Sequence, residues 1–437
     1  MARPSKAEGR QKFPRGFGVI WTTVAIDLIG FGIVLPILPQ YAERFGAGAF
    51  VIGILSASFS LAQLVFAPVL GRLSDRFGRK PIIIISLFGT AVGSLITGFA
   101  GSLWMLFLGR IIDGMSGASV SVAQAAVADL SPPRQRARYM GLIGAAFGVG
   151  FVAGPAIGAL GALGGAKVPF FIAAAIAGVN GIIAIRRLPE TAHGVEGHPL
   201  AIPEVVAARK AEFAAMDAEN IAAEPALDGP GIVEPAHLTR PDANETSSVT
   251  RDAIIRLIVV AFVGVVAFSG FESTFSLLAK ERFGLTLAST AAVFAAIGIV
   301  LVGVQGGLVG PVTHRLGEAG TLRFGLLANA AGLGLLSIDF GWYGLVASLL
   351  LLTVGQGLLT PTLSSAIAGR AGRQTGQWLG WQQSAGGLAR VVGPIVAGSL
   401  FQFIGVGAPY ALGAALALLA LLLLPSGPKR AKPVTAG

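Results

Sequence analysis

The sequence predicts an all-α membrane protein, with twelve transmembrane helices in two six-helix units. Three observations lead there. Hydrophobic residues make up 54% of the 437 and charged residues only 12%, about half the charge of an ordinary soluble domain. Apolar runs of roughly twenty residues, enough to cross a hydrocarbon core of about 30 Å, recur along the chain. Short peptides from the first half also return in the second at a nearly constant spacing.

The runs lie near 15–38, 50–71, 80–100, 103–128, 138–161, 167–186, 253–278, 288–312, 321–338, 342–367, 376–403 and 407–424. Helices are the expected spans, because the ten-residue alternating pattern of barrel strands is absent. With the amino terminus placed inside, about 25 of the 32 Lys and Arg fall on cytoplasmic segments, while Arg44, Lys167, Lys280 and Arg282 fall outside. Both termini are then cytoplasmic and the chain is a multi-pass protein of the plasma (inner) membrane. A net charge of +10 suits nucleic acid in principle, but this distribution sets the charge against anionic lipid headgroups instead. Arg3, Lys6, Arg10, Lys12 and Arg15 look like the start of a secretory signal. The apolar stretch that follows is too long for one and has no small-residue cleavage site, so an uncleaved first span is expected. With no Cys there is neither a disulfide frame nor a thiolate metal site.

Residues 187–252 hold 12 of the 22 acidic residues and are rich in Ala, Glu and Pro. This predicts a cytoplasmic linker between an N-terminal bundle at 1–186 and a C-terminal bundle with a short tail at 253–437. Pro203 to Glu224 has helix-forming composition and suits a surface-lying helix, against a mostly flexible tether. The bundles are related: Glu43-Arg-Phe-Gly46 returns as Glu281-Arg-Phe-Gly284, Gly71-x3-Asp75-Arg76-x-Gly78 as Gly310-x3-His314-Arg315-x-Gly317, and Gly154-Pro155 as Gly393-Pro394. The offsets are 238 or 239 residues, which argues for duplication of a six-span unit. An even number of spans per unit relates the copies by an axis along the membrane normal and leaves a site between them near mid-membrane.

The segment Gly71 to Pro81, G-R-L-S-D-R-F-G-R-K-P, suits a short basic turn between two spans and resembles the signature loop of the major facilitator superfamily. The first span, Asp27-Leu-Ile-Gly30-Phe-Gly32-Ile-Val-Leu-Pro36-Ile-Leu-Pro39, is similar to that of its tetracycline-exporter branch. The fifth, Gly141-x8-Gly150-x3-Gly154-Pro155-x2-Gly158, resembles the antiporter signature with Ala159 in place of a second glycine. The chain is accordingly similar to a twelve-span drug/proton antiporter of the major facilitator fold. The resemblance implies that the fifth helix seals one side of the substrate path, against a reading of Gly150, Gly154, Pro155 and Gly158 as ordinary close-packing residues that also permit a bend. It implies that the loop carrying Gly71, Asp75, Arg76, Gly78 and Arg79 gates the molecule, with Asp75 and Arg79 joining the flanking helix ends and pairing with Asp129 at the end of the fourth helix in an ion network that latches the outward-facing state, against charges that only set topology.

Charges inside the spans are the sharper clue, since an Asp or Arg at a bilayer centre costs about 2.5–3.5 kcal/mol on insertion scales. Asp27 lies halfway along the first span. An apolar surrounding favours a neutral carboxyl, so Asp27 is the first candidate to take and release a proton, with a structural hydrogen-bonding acid as the alternative. No His lies in any span. Arg110 and Asp113 sit one turn apart on the fourth helix and can pair with each other; the resemblance implies instead that Arg110 communicates with Asp27. Glu272, toward the external end of the seventh span, suits a cationic substrate, a proton or a snorkelling interfacial acid. Arg390 precedes Gly393-Pro394 and suits orienting an acid or backbone.

Phe31, Phe59, Phe147, Phe151, Trp378 and Trp381 are candidate linings of an apolar cavity, although most aromatics at helical spacing serve packing. Tetracycline exporters, as the resemblance has it, carry further intramembrane acids at places corresponding to Gly93 and Asn329, so metal-bound tetracycline would lose two partners here. The expected function is proton-coupled efflux of amphipathic small molecules by alternating access. Proton-linked uptake of a small metabolite is the alternative, and a transport-like sensor a weaker one. The chain has no phosphate loop, metal-ligand cluster or nucleophile elbow. The expectation is therefore a non-enzyme that needs no cofactor or metal, is driven by a proton gradient, and works as a monomer with a small molecule, protons and lipid as partners and no nucleic acid.

Overall fold

The structure is a computed structural model that describes residues 16–117, 119–131, 136–191, 246–371 and 374–424. The helix expected at Pro203 to Glu224 lies outside the described residues. The first half comprises α1 (Phe17–Val34), a short α2 (Leu38–Glu43), α3 (Ala49–Phe77), α4 (Arg79–Gly98), α5 (Leu103–Ser116), α6 (Ser119–Leu130), α7 (Arg136–Leu163) and α8 (Val168–Arg187). The second comprises α9 (Thr246–Phe283), α10 (Leu287–Gly303), a π-helical turn (Val304–Leu308), α11 (Val309–Ser337), α12 (Gly341–Ala371), α13 (Thr375–Phe403) and α14 (Ala408–Leu423). The last seven residues of the expected linker, 246–252, are thus helical.

Ten runs are long and apolar enough to cross a membrane, and Ala408–Leu423 is a shorter apolar helix. One of the ten, Leu287–Ser337, has 51 residues, about 76 Å of helix at 1.5 Å per residue and more than twice the hydrocarbon thickness. Gly317, at φ 71 and ψ 172, turns the chain inside it, so this run makes two crossings. Ten runs, one counted twice, and the shorter helix make the twelve crossings among the described residues. The fourth, Leu103–Leu130, comprises α5 and α6.

Left-handed backbone marks equivalent turns in the two halves. Gly46 (φ 77) and Gly284 (φ 64), Gly78 (φ 99) and Gly317 (φ 71), and Gly165 (φ 122) and Gly405 (φ 146) pair at offsets of 238, 239 and 240 residues. A side chain at these φ values would strain the turn, so glycine recurs in the repeat where the helices reverse. Between Gly71 and Pro81 the expected turn of glycines shrinks to one residue. The chain stays helical through Phe77 and restarts at Arg79, with Gly71 inside α3 and only Gly78 outside a helix. Gly78, in a backbone conformation that favours glycine, supplies the whole reversal, so the helix can continue up to it.

The halves meet along two seams, α3 against α13 and α7 against α10. The end of the molecule carrying Gly78 and Gly317 is called here the basic end, and the end carrying Gly46 and Gly284 the far end. At the far end buried clusters cross the boundary: Leu277 and Ala291 pack with Ile33, Ile37, Tyr41 and Leu55, and Leu35 packs against Phe271 and Phe275. At the basic end each half keeps its own cluster, one drawn from residues 17–188 and the other from 254–424. Seam contacts follow the same gradient. Side chains added at Gly53 and Gly398 would strike Pro394 and Ala49, and one at Gly298 would strike Phe151, whereas Gly71, Gly144, Gly306 and Gly380 nearer the basic end meet nothing within 4 Å. The halves are closed at the far end and part toward the basic end.

Candidate functional site

The buried charges of the first half converge at mid-depth. Asp27 is the eleventh residue of the 18-residue α1, and its Oδ2 accepts a hydrogen bond of 2.7 Å from Ser119 Oγ at the start of α6. On α5, Arg110 Nη1 donates to Asp113 Oδ2 at 2.7 Å, with both side chains nearly buried. The Arg110 guanidinium also lies 4.2 Å from the centre of the Phe59 ring, a stacking arrangement that suits a weakly hydrated planar cation. Phe31 packs against Phe59, with the ring centres 5.4 Å apart. Arg110 Nε has no partner.

The resemblance implies an exchange between Arg110 and Asp27. In this structure Asp113 holds Arg110 instead, because a carboxylate fixed one turn away on the same helix competes at no cost in docking. Asp27 is left with the Ser119 hydroxyl. Ser119 and Phe59 are contributors that the sequence reading did not single out for these roles. Neither belongs to a charge pattern, and only the folded arrangement brings them to Asp27 and Arg110.

The glycine spacing of α7 positions α1, and with it Asp27. Gly150 lies against Leu28, Gly154 against Gly32 and Ile29, and Gly158 against Ile33, with backbones so close that a Cβ at Gly154 would sit 2.6 Å from the Gly32 Cα. Residues four apart share one helix face, so the spacing reads as a continuous groove for α1. The second half repeats the crossing: Gly393 on α13 lies against Val266 and Ser269 on α9, with Gly270 beside it. Pro155 and Pro394 lie inside α7 and α13.

In the second half, Glu272 lies deeper than expected. Helix α9 continues to Phe283, so Glu272 is ten residues from Arg282, about 15 Å along the axis and near the middle of a ~30 Å core. Arg390 lies mid-way along α13 and is exposed. Elsewhere in this half Asn329 Nδ2 donates to Gln356 Oε1 at 3.2 Å, and Gln356, Thr360 and Ser364 form a polar stripe on α12. The aromatic candidates divide. Phe147 and Trp378 pack against the basic-end clusters of their own halves, Phe151 contributes its carbonyl to the seam under Gly298, and Trp381 is exposed.

At the basic end Arg79 gathers the loop charges. It pairs with Asp75 at 2.5 Å and with Asp129 at 3.1 Å, and it donates to Ser74 Oγ at 2.6 Å. Glu190, which follows α8 and was not singled out from sequence, accepts from the backbone N–H groups of Arg79 and Lys80 at 2.8 and 3.1 Å. The exposed Arg76 lies 5.3 Å from the Phe77 ring centre. These contacts tie α3, α4 and α6 to the end of α8 within one half. They are intact while the halves are apart at this end. At the far end Gln40 reaches across the boundary, donating to the Ser276 carbonyl at 3.0 Å and to Thr290 Oγ1 at 3.2 Å. Ser276 Oγ returns a bond to the Pro36 carbonyl, and Lys280 pairs with Glu43 at 2.7 Å.

Comparison with known proteins agrees with this arrangement. A sequence model described as Major Facilitator Superfamily matches residues 20–338 and 306–437. Tetracycline resistance protein, class E, of Escherichia coli is 31% identical over 386 residues, covering 87% of this chain and 86% of that protein. Multidrug resistance protein 2 of Bacillus subtilis (strain 168) is 27% identical and covers 88% of each chain. Among solved structures, the human organic anion transporter MFSD10 (TETRAN) matches with a TM-score of 0.64 and 26% identity over 94% of this chain and 99% of that one. A peptide transporter POT matches in fold alone, with a TM-score of 0.69 and 16% identity over 95% of each. The chain belongs to the major facilitator superfamily: it is a multi-pass membrane transporter of small molecules, not an enzyme.

Proposed function

We propose that the protein exports amphipathic organic molecules in exchange for protons, by alternating access of a site between its halves. The observation that carries this reading is Asp27, a carboxyl at mid-span held by a single hydroxyl and set on the helix clasped by the Gly150, Gly154 and Gly158 stripe. A carboxyl there can bind a proton from one side and release it to the other as the halves rock. In this proposal the units are 1–186 and 253–437, joined by a linker at 187–252, and a monomer suffices. No cofactor takes part, since the proton gradient supplies the energy. Phe31, Glu272 and Arg390, with Phe147, Phe151, Trp378 and Trp381, are the proposed lining of the substrate path. Asp27, Arg110 and Asp113 handle the proton. Gly71, Asp75, Arg76, Gly78, Arg79 and Asp129 act as a brace at the basic end, and Gly150, Gly154, Pro155 and Gly158 guide α1. The relatives named for tetracycline and multidrug resistance support export over uptake.

Transport in inside-out vesicles with an acidic lumen tests the reading. Lipophilic dyes and drugs should accumulate, and a protonophore should abolish the accumulation. A sugar or organic acid carried down the proton gradient in right-side-out vesicles, with no dye transport, would replace export with uptake. Metal-bound tetracycline should be a poor substrate. Gly93 offers no room for an acid, because a Cβ there would lie 2.8 Å from the Gly109 carbonyl and 3.0 Å from the Asp113 Cβ.

The basic end is proposed to face the cytoplasm of a cell whose inner membrane holds the protein, because Lys and Arg concentrate there. The native chain has no Cys, so single cysteines report this directly. Ala226→Cys should react with an impermeant maleimide only from the cytoplasmic side, and Gly101→Cys only from outside. Gly101 is exposed with nothing within 4 Å, whereas a side chain at Gly48 would run into Gln402. Labelling of Ala226→Cys in intact cells would invert the orientation.

A further inference from the structure

The brace around Arg79 has a counterpart in the second half with its charges reversed. At the 239-residue offset Ser74 corresponds to Thr313, Asp75 to His314, Arg76 to Arg315, Gly78 to Gly317 and Arg79 to Glu318. The backbone agrees: Gly78 has φ 99 and ψ 155, and Gly317 φ 71 and ψ 172. Asp129, the penultimate residue of α6, is matched by Arg370, the penultimate residue of α12. Where the first half sets a central arginine between two acids, the second sets a central glutamate near an arginine and a histidine.

The second set is partly assembled. Arg370 Nη1 lies 3.4 Å from Glu318 Oε2, and Ser365 Oγ lies 3.3 Å from Glu318 Oε1. Arg370 also donates to the Ala366 carbonyl at 2.7 Å, which fixes its side chain along α12. The pair is wetter than its counterpart, at 26% and 40% exposed against 13% and 17% for Arg79 and Asp129. His314 stands at the place of Asp75 and is exposed. It lines a cavity of about 340 Å³ with Thr313, Pro361, Thr362 and Ser365. The Thr362 hydroxyl is buried and unpartnered there.

We propose that Glu318, Arg370 and His314 are positioning residues that form a charge-inverted brace, holding the part of α11 that begins after Gly317 to the end of α12 so that the second half moves as one body. Arg79 with Asp75 and Asp129 does the same for α4 and α6. Full engagement brings His314 onto Glu318, as Asp75 sits on Arg79. The role rests on the alternating-access reading, but its test needs no substrate.

In the Cys-less chain, charge reversal at Glu318→Arg or Arg370→Asp should each speed amide hydrogen exchange of residues 309–320 roughly threefold, and the double reversal should restore it, since two partners of one pair do not act independently. Glu318→Gln and Arg370→Gln provide the same cycle without new charges if a reversal fails to insert. His314→Asp discriminates further. Beside Glu318 it adds a like charge and should speed exchange, whereas in the Glu318→Arg/Arg370→Asp background it recreates the first-half set and should slow it. Spin labels at Val69→Cys on α3 and Gln383→Cys on α13, both exposed, read the opening at the basic end. Their distance distribution should broaden in each single reversal and recover in the double. Additive effects across the cycle, or a His314→Asp effect of the same sign in both backgrounds, would overturn the brace. A chain that obeys the cycle yet moves no proton or dye in vesicles would overturn the exporter reading and leave the brace standing.

Discussion

Asp27→Asn is expected to reduce proton-driven accumulation to the level of protonophore-treated vesicles while substrate binding partly survives. Asparagine keeps the size of the side chain and can still accept from Ser119 Oγ, the contact that holds Asp27 at 2.7 Å, so the α1 backbone has no reason to move. What it cannot do is bind and release a proton. The measurement is proton release on substrate addition to the purified protein, with dye accumulation in inside-out vesicles beside it. Wild-type proton release from Asp27→Asn would remove this residue from coupling and shift the search to Asp113 and Glu272. Ser119→Ala serves as a companion, since it removes the hydroxyl that bonds Asp27 among the described residues and leaves the titrating group in place. It should alter the pH dependence of transport without abolishing it.

Arg110→Leu is expected to be the most destabilising single change at mid-span. The Arg110 to Asp113 bridge is 2.7 Å long and nearly buried, and Phe59 covers the guanidinium. Removing one partner of such a pair leaves an uncompensated buried charge, at about 3–5 kcal/mol in comparable cases. Proton uptake by Asp113 would limit the loss. The double variant Arg110→Leu/Asp113→Leu removes both charges and should regain most of the thermal stability, because a buried pair replaced by apolar groups is often close to neutral. Neither variant should transport. Thermal unfolding in detergent checks the first part and vesicle transport the second. If the double variant is no more stable than Arg110→Leu, the pair is not an isolated unit and a further group depends on Arg110.

Much of the architecture is legible in the chain because membrane insertion is a coarse physical filter. Twenty apolar residues in a row have few alternatives to a spanning helix, and a duplicated unit repeats its punctuation: Gly46 and Gly284, like Gly78 and Gly317, mark the same reversals in sequence and in backbone angle. The helical spacing of Arg110 and Asp113 likewise makes their pairing available before any fold is known. Helix ends are harder to read, since α3 runs on to Phe77 and α9 to Phe283 beyond their apolar runs. That extension sets Glu272 eleven residues before the helix end, where the apolar run puts it six residues from the end. Polar residues keep helical geometry after leaving lipid, so hydropathy marks the membrane and not the helix.

By itself the sequence determined the twelve spans, the duplication, the intramembrane charges and the glycine spacing of α7, all of which depend on composition and on neighbours a few residues apart. Only the tertiary structure decided which partner each charge takes. Ser119 with Asp27, Phe59 over Arg110, Glu190 on the Arg79 amide and Gln40 on Ser276 and Thr290 join residues between 51 and 250 positions apart. Such contacts follow from how helices cross. A crossing is set by close backbone approaches such as Gly154 on Gly32, and a one-dimensional pattern does not say which glycine face meets which. The same holds for the state of the molecule, closed at the far end and parted at the basic end. It is a balance between two sets of contacts that one sequence encodes together, and only a folded arrangement displays one of them.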